Sequence, residues 1–187
     1  MVPAITVVSL ADDQRLPLVD EAVAFWNAAL AKLGTPFRLG AVTRVIGTIP
    51  NHELKTLERS AFAGQWVSEL PDGVGRIKGN VVVVLSDSDI ISFAVRQSTG
   101  DKAVVAIRDH RLYPLKLPNV ARNVIAHELG HAIGLVHNTD PKALMCGRPA
   151  PCRPALFVSE HPIFFPLTEA ETADLRQMYP TNWQASR

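Results

Sequence analysis

The chain contains the stretch His127-Glu-Leu-Gly-His-Ala-Ile-Gly-Leu-Val-His137, which has the pattern HExxHxxGxxH. On a helix, His127 and His131 are four residues apart and project from the same face. Gly134 can end that helix, because glycine accepts the positive φ that turns the chain back. The turn would bring His137 towards the other two imidazoles. Three nitrogens with one open position are the pattern of a catalytic zinc site.

Glu128 stands directly after the first predicted ligand, where its carboxylate can reach a water on the metal. Zinc would lower the pKa of that water to near 7, and Glu128 would take its proton as a general base and pass it to a leaving amine. Three imidazoles and a water suit zinc, while the sequence does not exclude other divalent metals. A buried helix with ordinary core histidines is the competing interpretation, and the spacing of Gly134 and His137 argues against it.

The sequence after this motif resembles a known family. HExxHxxGxxH followed by Met145 resembles the metzincin zinc peptidases, and Pro-Lys-Ala-Leu-Met at 141–145 resembles their matrixin branch, which includes the matrix metalloproteinases. Residues 22–30 are similar to the first helix of the matrixins, and residues 167–179 are similar to their last helix. The close match covers about residues 119–180 and is weaker upstream.

The resemblance implies a zinc-dependent endopeptidase that acts on a peptide or protein substrate. It implies that Met145 forms an apolar floor under the metal and does not bind it. Some metzincins add a tyrosine ligand two residues after this methionine, and Gly147 occupies that position here, so we expect no tyrosine ligand. Matrixins usually have tyrosine directly after the methionine, where this chain has Cys146, so the local wall of the cleft departs from the family.

By the same resemblance, the segment Arg148–Pro166 forms the wall of the pocket for the side chain just after the cleaved bond. Its apolar residues predict a graded preference for a hydrophobic side chain at that position. A hydrophobic loop that only closes the core is an equal alternative. Arg148 would favour acidic side chains if it pointed into the pocket, whereas a solvent-facing guanidinium is the more ordinary arrangement.

Hydrophobic periodicity and turn signals predict an α/β fold with a twisted, mostly parallel five-stranded sheet, an active-site helix and a C-terminal helix. The resemblance implies that this fold is zincin-like. The resemblance adds that one edge strand is antiparallel and that an extended substrate pairs with it, with Ser92–Gln97 as the candidate. Residues 52–70 stay ambiguous, with room for a short helix. The other predicted elements are the strands Ile5–Ser9, Phe37–Ile46, Val81–Leu85 and Ala103–Arg108, and helices over Leu18–Leu33, from Pro118 and from the capping box Thr168–Glu171.

The length of 187 residues predicts one domain, residues 1–187. A metzincin-like catalytic domain would have an upper part of about 1–134 and a lower part of about 135–187, which holds the methionine turn and the last helix. No inhibitory pro-segment is recognisable ahead of Ile5 and no hemopexin-like repeat after Trp183. We therefore expect a bare catalytic domain similar to the minimal bacterial matrixins.

Composition narrows the partners and the location. A net charge of +1 gives no reason to expect nucleic acid, and no apolar run approaches the roughly 20 residues of a membrane span. We expect a monomer that binds a peptide or protein substrate. The first ten residues lack the basic start and cleavage site of a signal peptide, so the chain is either cytoplasmic or the mature domain of a secreted or periplasmic protein. The family resemblance favours the secreted or periplasmic alternative.

Cys146 and Cys152 are six residues apart in a proline-containing loop. A disulfide is the favoured interpretation, since an even pair this close suits a secreted peptidase. Two free thiols are the alternative, and a second metal site lacks the usual four ligands.

Other candidate metal sites are weaker. The group Asp87-Ser-Asp89 is a candidate for Ca²⁺, although a solvated turn explains it as well. No run rich in histidine and aspartate lies between Leu85 and His110, so we expect no second zinc. The remaining histidines, His52, His110 and His161, lack ligand spacing and are predicted to be surface or hydrogen-bonded side chains.

Two other functions compete with an endopeptidase. One is a catalytically silent zinc-binding module that holds peptides in its cleft, against which Glu128 argues because a pure binder needs no carboxylate there. The other is a zinc amidase that acts on small or cell-wall peptides, which only cleavage experiments can separate from an endopeptidase.

Overall fold

The computed structural model describes residues 2–64, 66–98, 102–147 and 152–184. These residues form five strands, five α-helices and one short 3-10 helix. The strands are β1 (Ile5–Ser9), β2 (Val42–Ile46), β3 (Val81–Leu85), β4 (Phe93–Arg96) and β5 (Ala103–Ile107). The α-helices are α1 (Leu16–Lys32), α2 (Asn51–Phe62), α3 (Asp72–Gly75), α4 (Pro118–Ala132) and α5 (Glu169–Met178), and the 3-10 helix is Pro154–Phe157.

The five strands form one sheet with the order β2-β1-β3-β5-β4. All neighbours are parallel except β4, which runs antiparallel to β5 with Phe93 opposite Ala106 and Arg96 opposite Ala103. The predicted mostly parallel sheet with one antiparallel edge strand is therefore confirmed, and β4 lies within the range 92–97 that was the candidate for that edge.

The three inner strands β1, β3 and β5 are buried on both faces, which explains why β3 is an unbroken apolar run. Val81, Val83 and Leu85 face a core that contains α1 and α4, while Val82 and Val84 face a second core that contains α2. This alternation follows from the period of two along a strand. Every residue of β3 is consequently fixed by packing on one side or the other.

Helices α1 and α4 pack against each other on one face of the sheet. The fully buried Trp26 of α1 donates a hydrogen bond from its indole Nε1 to the carbonyl of Ala126 on α4, with a length of 2.9 Å. A buried indole needs such an acceptor, because an unpaired N–H in the core is costly. The contact fixes α1 against the helix that carries the first two predicted metal ligands.

One predicted element, the second strand, differs clearly from the structure. The second strand is Val42–Ile46, and the upstream part of the predicted Phe37–Ile46 is a buried loop. In this loop, the side chain of Asn27 accepts from the N–H of Leu39 at 2.8 Å and donates to its carbonyl at 3.0 Å. These backbone groups are therefore not free to pair with a neighbouring strand. The ambiguous segment 52–70 contains α2, which buries Leu54 and Leu57. The sequence Thr99-Gly-Asp101 indicates a turn between two strands, and it lies outside the described residues.

A long loop after the metal-binding motif is attached to α4 by two buried asparagines. Asn119 donates to the carbonyls of Ser159 and His161 at 2.9 and 2.6 Å. Asn123, one turn later, donates to the carbonyl of Ile163 at 2.7 Å and accepts from the N–H of Phe165 at 2.9 Å. Hydrogen bonds from side-chain amides thus take the place of backbone hydrogen bonds between strands. They fix residues 159–165, which form neither a strand nor a helix.

The last helix begins at the predicted capping box. Thr168 accepts from the backbone N–H of Glu171, whose carboxylate accepts from the N–H of Thr168 at 2.6 Å. The same carboxylate accepts from Asn138, just after the predicted third ligand, at 2.5 Å. Within the described ranges, no helix has both the length and the apolar character required to cross a membrane.

The asparagine contacts predict a loss of stability in Asn123→Ala. The substitution leaves a buried N–H and a partly buried carbonyl of the loop without their partner, so the free energy of unfolding should fall by about 1–3 kcal/mol. Urea denaturation measures this. The control Asn51→Ala removes an exposed asparagine and should change stability by no more than about 0.5 kcal/mol. Equal stability of the two variants would contradict the role of Asn123.

Candidate metal centre

The centre is built where α4 ends and the chain turns back. His127 and His131 lie one turn apart on α4, as predicted. Gly134 then adopts a φ of 106°, a conformation that residues with a Cβ rarely adopt. The reversal brings His137 back towards the helix, so the predicted role of Gly134 in the turn agrees with its backbone.

The Nε2 atoms of the three histidines converge. The distance from His127 to His131 is 3.1 Å, from His127 to His137 3.1 Å, and from His131 to His137 3.0 Å. Among the described residues, these histidines form the one group of three potential ligand atoms close enough for a shared metal ion. Such spacing lets a single ion lie at the usual Zn–N distance of about 2.0–2.1 Å from all three nitrogens.

Hydrogen bonds to the other ring nitrogens explain why these Nε2 atoms suit a metal. His127 donates from Nδ1 to the carbonyl of Leu144 at 2.8 Å, and His131 donates from Nδ1 to the carbonyl of Leu135 at 2.7 Å. A carbonyl only accepts, so the ring proton of each neutral imidazole is on Nδ1 and the Nε2 lone pair is free. Lone pairs about 3 Å apart repel each other unless a cation lies between them. The residues therefore fit zinc.

The surroundings keep the histidines neutral, which is the form that binds metals. Burial holds the pKa of His127 well below its ordinary value, and the neighbouring His131 and Arg153 lower it further. Burial also lowers the pKa of His131 to about 4. The pKa of His137 is lowered by burial and by Arg153. Protons therefore compete weakly for this site near neutral pH.

Glu128 is a buried carboxyl, with 7% of its surface exposed. Burial raises its pKa to about 8, although the cation of Arg153 acts in the opposite direction. A bound dication would lower this pKa again, because a positive charge favours the carboxylate. The carboxyl can thus gain or release a proton near neutral pH, as proton transfer requires.

The chain around Met145 supports two of the three histidines. Asn138 donates its N–H to the carbonyl of Met145, and Gly147 donates its N–H to the carbonyl of Asn138, both at 2.9 Å. These bonds fix the segment that carries His137. Met145 is fully buried against α4, where a Cβ at Gly130 would lie 2.5 Å from its sulfur. It fills apolar space beside Gly130, and its role as a floor under the metal stays a prediction.

Gly147 lies directly against the ring of His137. A Cβ at this position would be 2.4 Å from Cγ of His137 and 2.7 Å from its Nδ1. No side chain fits there while His137 stays in place. A tyrosine at this position is therefore incompatible with the present arrangement of the third ligand.

The structure contains the predicted disulfide between Cys146 and Cys152, with a Cα–Cα distance of 5.6 Å. It joins the methionine turn to the following loop, whose residue Arg153 lies beside the metal centre. Arg148, the predicted modifier of the pocket, lies outside the described residues. The apolar side chains of the loop are divided, since Leu156 and Phe165 are buried in the core whereas Phe157, Val158 and Ile163 are exposed.

Comparisons with known proteins agree with this arrangement. The matrixin family model matches residues 89–153, which include all three histidines and Glu128. The crystal structure of archaemetzincin from Methanopyrus kandleri has a TM-score of 0.50 and 18% identity to this chain, over 95% of this chain and 95% of that one. This likeness shows the fold. No curated protein matches the chain.

Together, these findings support a metzincin-like zinc peptidase. The three-histidine site and the matrixin family match also indicate which metal is bound there, namely zinc. A calcium site gains no support. Asp89 forms an ion pair with Arg108 at 2.6 Å, and no further ligand group was found among the described residues.

Sequence reasoning missed several residues that build the metal centre. Leu135 and Leu144 act through backbone carbonyls, so their side chains gave no signal. Arg153 was overlooked because it has no motif around it. Of the other histidines, His52 and His161 are exposed, as predicted for surface residues.

The contact between Gly147 and His137 predicts that Gly147→Ala weakens zinc binding. The new methyl group would displace the third ligand, and errors in ligand positioning typically cost about 10–100-fold in affinity. Competition with a chromogenic chelator measures the zinc dissociation constant. The control Gly47→Ala adds a methyl group where no atom lies within 4 Å, so it should bind zinc like the wild type. Unchanged affinity in Gly147→Ala would contradict the predicted displacement.

The burial of Glu128 predicts a pH dependence in the metal-free protein. Its folded pKa of about 8 lies above the ordinary 4.5, so the folded state keeps a proton that the unfolded chain releases. Stability from this group is present below pH 4.5 and is lost as the pH rises towards 8. Glu128→Gln does not titrate. Its advantage in unfolding free energy over the wild type should therefore grow by up to about 1.4 kcal/mol per pH unit in this window.

Urea denaturation with chelator at pH 5, 6, 7 and 8 measures that difference. The histidines titrate in both proteins, so their contribution cancels. A difference that stays constant over this range would show that Glu128 is not a buried acid in the folded state.

Proposed function

We propose that the chain is a zinc-dependent endopeptidase of the matrixin branch. The observation that carries this proposal is the convergence of the Nε2 atoms of three histidines at the end of the helix that also holds the buried Glu128. Bound zinc would supply a Lewis acid and lower the pKa of water to near 7. His127, His131 and His137 would hold the ion.

Glu128 acts as the general base in this proposal. Its carboxylate accepts the proton of the attacking water and then donates it to the amine that leaves. Burial supports both steps, because it keeps the pKa of the carboxyl near neutrality and excludes bulk water as a competing proton carrier. A silent binding module would not need a buried carboxyl at this position. Burial of an acid without a catalytic role only lowers the free energy of unfolding at neutral pH.

The edge strand β4 supports an extended substrate. Gln97 donates its N–H to the carbonyl of Lys102, on the side of β4 that faces β5. The backbone N–H and carbonyl groups alternate in direction along a strand, so those of Val95 and Phe93 also point towards β5. Ala94 then presents its N–H and carbonyl outward. No backbone group from elsewhere in the described chain bonds to Ala94, so another strand can pair there.

The far end of β4 is already covered. Val67 donates its N–H to the carbonyl of Arg96 at 3.2 Å and accepts from the N–H of Ser98 at 2.8 Å. Substrate pairing is therefore confined to the part of β4 before Arg96. An internal stretch of extended chain satisfies this edge without a free terminus, which is why we favour an endopeptidase.

The remaining properties follow from the family resemblance. We propose a single catalytic domain over residues 1–187, in which an upper part (1–134) carries the first two ligands and a lower part (135–187) carries His137 and the methionine turn. We also propose a monomer that acts outside the cytoplasm, as a secreted or periplasmic protein. The disulfide Cys146–Cys152 supports that location, since such bridges persist in oxidising compartments.

Cleavage of an unfolded protein by zinc-loaded Glu128→Gln tests the mechanism. The variant should retain one zinc per chain, because the three imidazoles are unchanged, and should lose about 10²–10⁴-fold in turnover. Mass spectrometry of the fragments measures the rate and the cut sites, and a chelator should stop the wild type.

Each result separates the candidate functions. Internal fragments from the wild type support an endopeptidase, whereas residues released only from one terminus would contradict it. Cleavage of short peptides without cleavage of the unfolded protein would favour an amidase. Peptide binding without any hydrolysis in the zinc-loaded wild type would favour a silent binding module.

A further inference from the structure

A half-buried cation lies beside the proposed metal centre and has no role in the mechanism above. The Nη1 atom of Arg153 donates to the carbonyl of Leu144, the same carbonyl that fixes His127. It lies 3.3 Å from Nδ1 of His127 and 3.4 Å from the carbonyl of Cys146. The guanidinium therefore lies on the Nδ1 side of His127, away from the converging Nε2 atoms and next to the methionine turn.

Like the partly buried Arg38, and unlike three other shielded arginines, Arg153 has no carboxylate partner among the described residues. Arg15 pairs with Asp13, Arg122 with Glu21 and Arg108 with Asp89, each at 2.6 Å. Within the described part of the chain, Arg153 forms no ion pair. A guanidinium that is withdrawn from water without an anion costs free energy, because its hydration is lost and only carbonyl dipoles replace it. Glu128 feels the positive charge but forms no ion pair with it.

The backbone of this residue is strained in a way that fixes the side chain. Arg153 has φ 53° and ψ 51°, which is the left-handed region. A residue with a Cβ pays roughly 1–2 kcal/mol for this conformation. Its N–H donates to the carbonyl of Pro141 at 2.6 Å, and Cys152 before it is bridged to Cys146. The fold thus holds a cation without an ion pair at the metal centre in a conformation that lowers stability, which is typical of functional sites.

We infer that Arg153 binds a carboxylate of the substrate next to the cleaved bond and makes the enzyme selective for acidic groups there. The inference rests on the proposed peptidase function. The carboxylate is either an aspartate or glutamate side chain or the terminal carboxylate of a short peptide, since a guanidinium binds both through the same paired hydrogen bonds. The inference competes with the predicted hydrophobic preference from the segment Arg148–Pro166, which the same set of peptides tests.

A set of peptides that differ only in this carboxylate tests the inference. The peptides carry Glu, Gln or Leu on either side of the cleaved bond, each with a free or an amidated C-terminus. The zinc-loaded wild type should show a kcat/KM at least about tenfold higher for Glu than for Gln, or for the free than for the amidated terminus. The first result assigns a side chain as the source of the carboxylate, and the second assigns the terminus.

Substitution of Arg153 decides whether this residue is responsible. Arg153→Gln should lose the preference for the carboxylate, and Arg153→Lys should keep part of it because the charge remains. Arg176→Gln, which removes an exposed arginine on α5, should behave like the wild type. Equal rates for all peptides with the wild type, or an unchanged preference in Arg153→Gln, would overturn the inference.

Binding measurements keep this test separate from the test of catalysis. Calorimetry with zinc-loaded Glu128→Gln measures the affinity for the Glu and Gln peptides without turnover. At least about tenfold tighter binding of the Glu or free-terminus peptide supports Arg153 as a carboxylate site, even if no peptide is hydrolysed. Equal affinities would reject the site, also where the folding of the Arg153 variants is impaired.

Discussion

The metal centre depends on two backbone carbonyls that fix the protons of two histidines. Once Leu144 and Leu135 hold the Nδ1 protons of His127 and His131, the Nε2 lone pairs must point at each other and at His137. That arrangement is unfavourable in a protein without a cation and favourable in one that binds zinc. A bound zinc ion would therefore remove the repulsion between the Nε2 lone pairs of the three histidines.

Most of the remaining structure serves to keep those carbonyls and rings in place. The sheet and α1 hold α4 from one side, with Trp26 bonded directly to Ala126 beside the first ligand. Met145 supports α4 from below, and the pairing of Asn138 with the methionine turn brings the third ligand into position. The site is thus assembled from two segments, one helical and one irregular. The irregular one has no regular secondary structure around His137, and side-chain amides and a disulfide reinforce it.

The sequence predicted those parts whose signal lies in a side-chain pattern. The metal-binding motif, the buried strand Val81–Leu85 and the capping box of the last helix were all predicted and are all present. The second strand was predicted too long, because the side chain of Asn27 binds the backbone at Leu39 in a contact that no local pattern encodes. Asn123 was missed for a related reason. Asparagine inside a helix is read as a weak helix former, and only its contacts with the distant loop reveal its function.

X-ray absorption at the zinc edge of the full chain tests the central claim most directly, because it reports the atoms that bind the metal. We predict one zinc with three imidazole nitrogens at about 2.0–2.1 Å and one light oxygen ligand. His137→Ala should lose one imidazole from the spectrum or fail to retain zinc. A spectrum with sulfur ligands, or a wild-type chain that retains no zinc after purification with the metal present, would contradict the account.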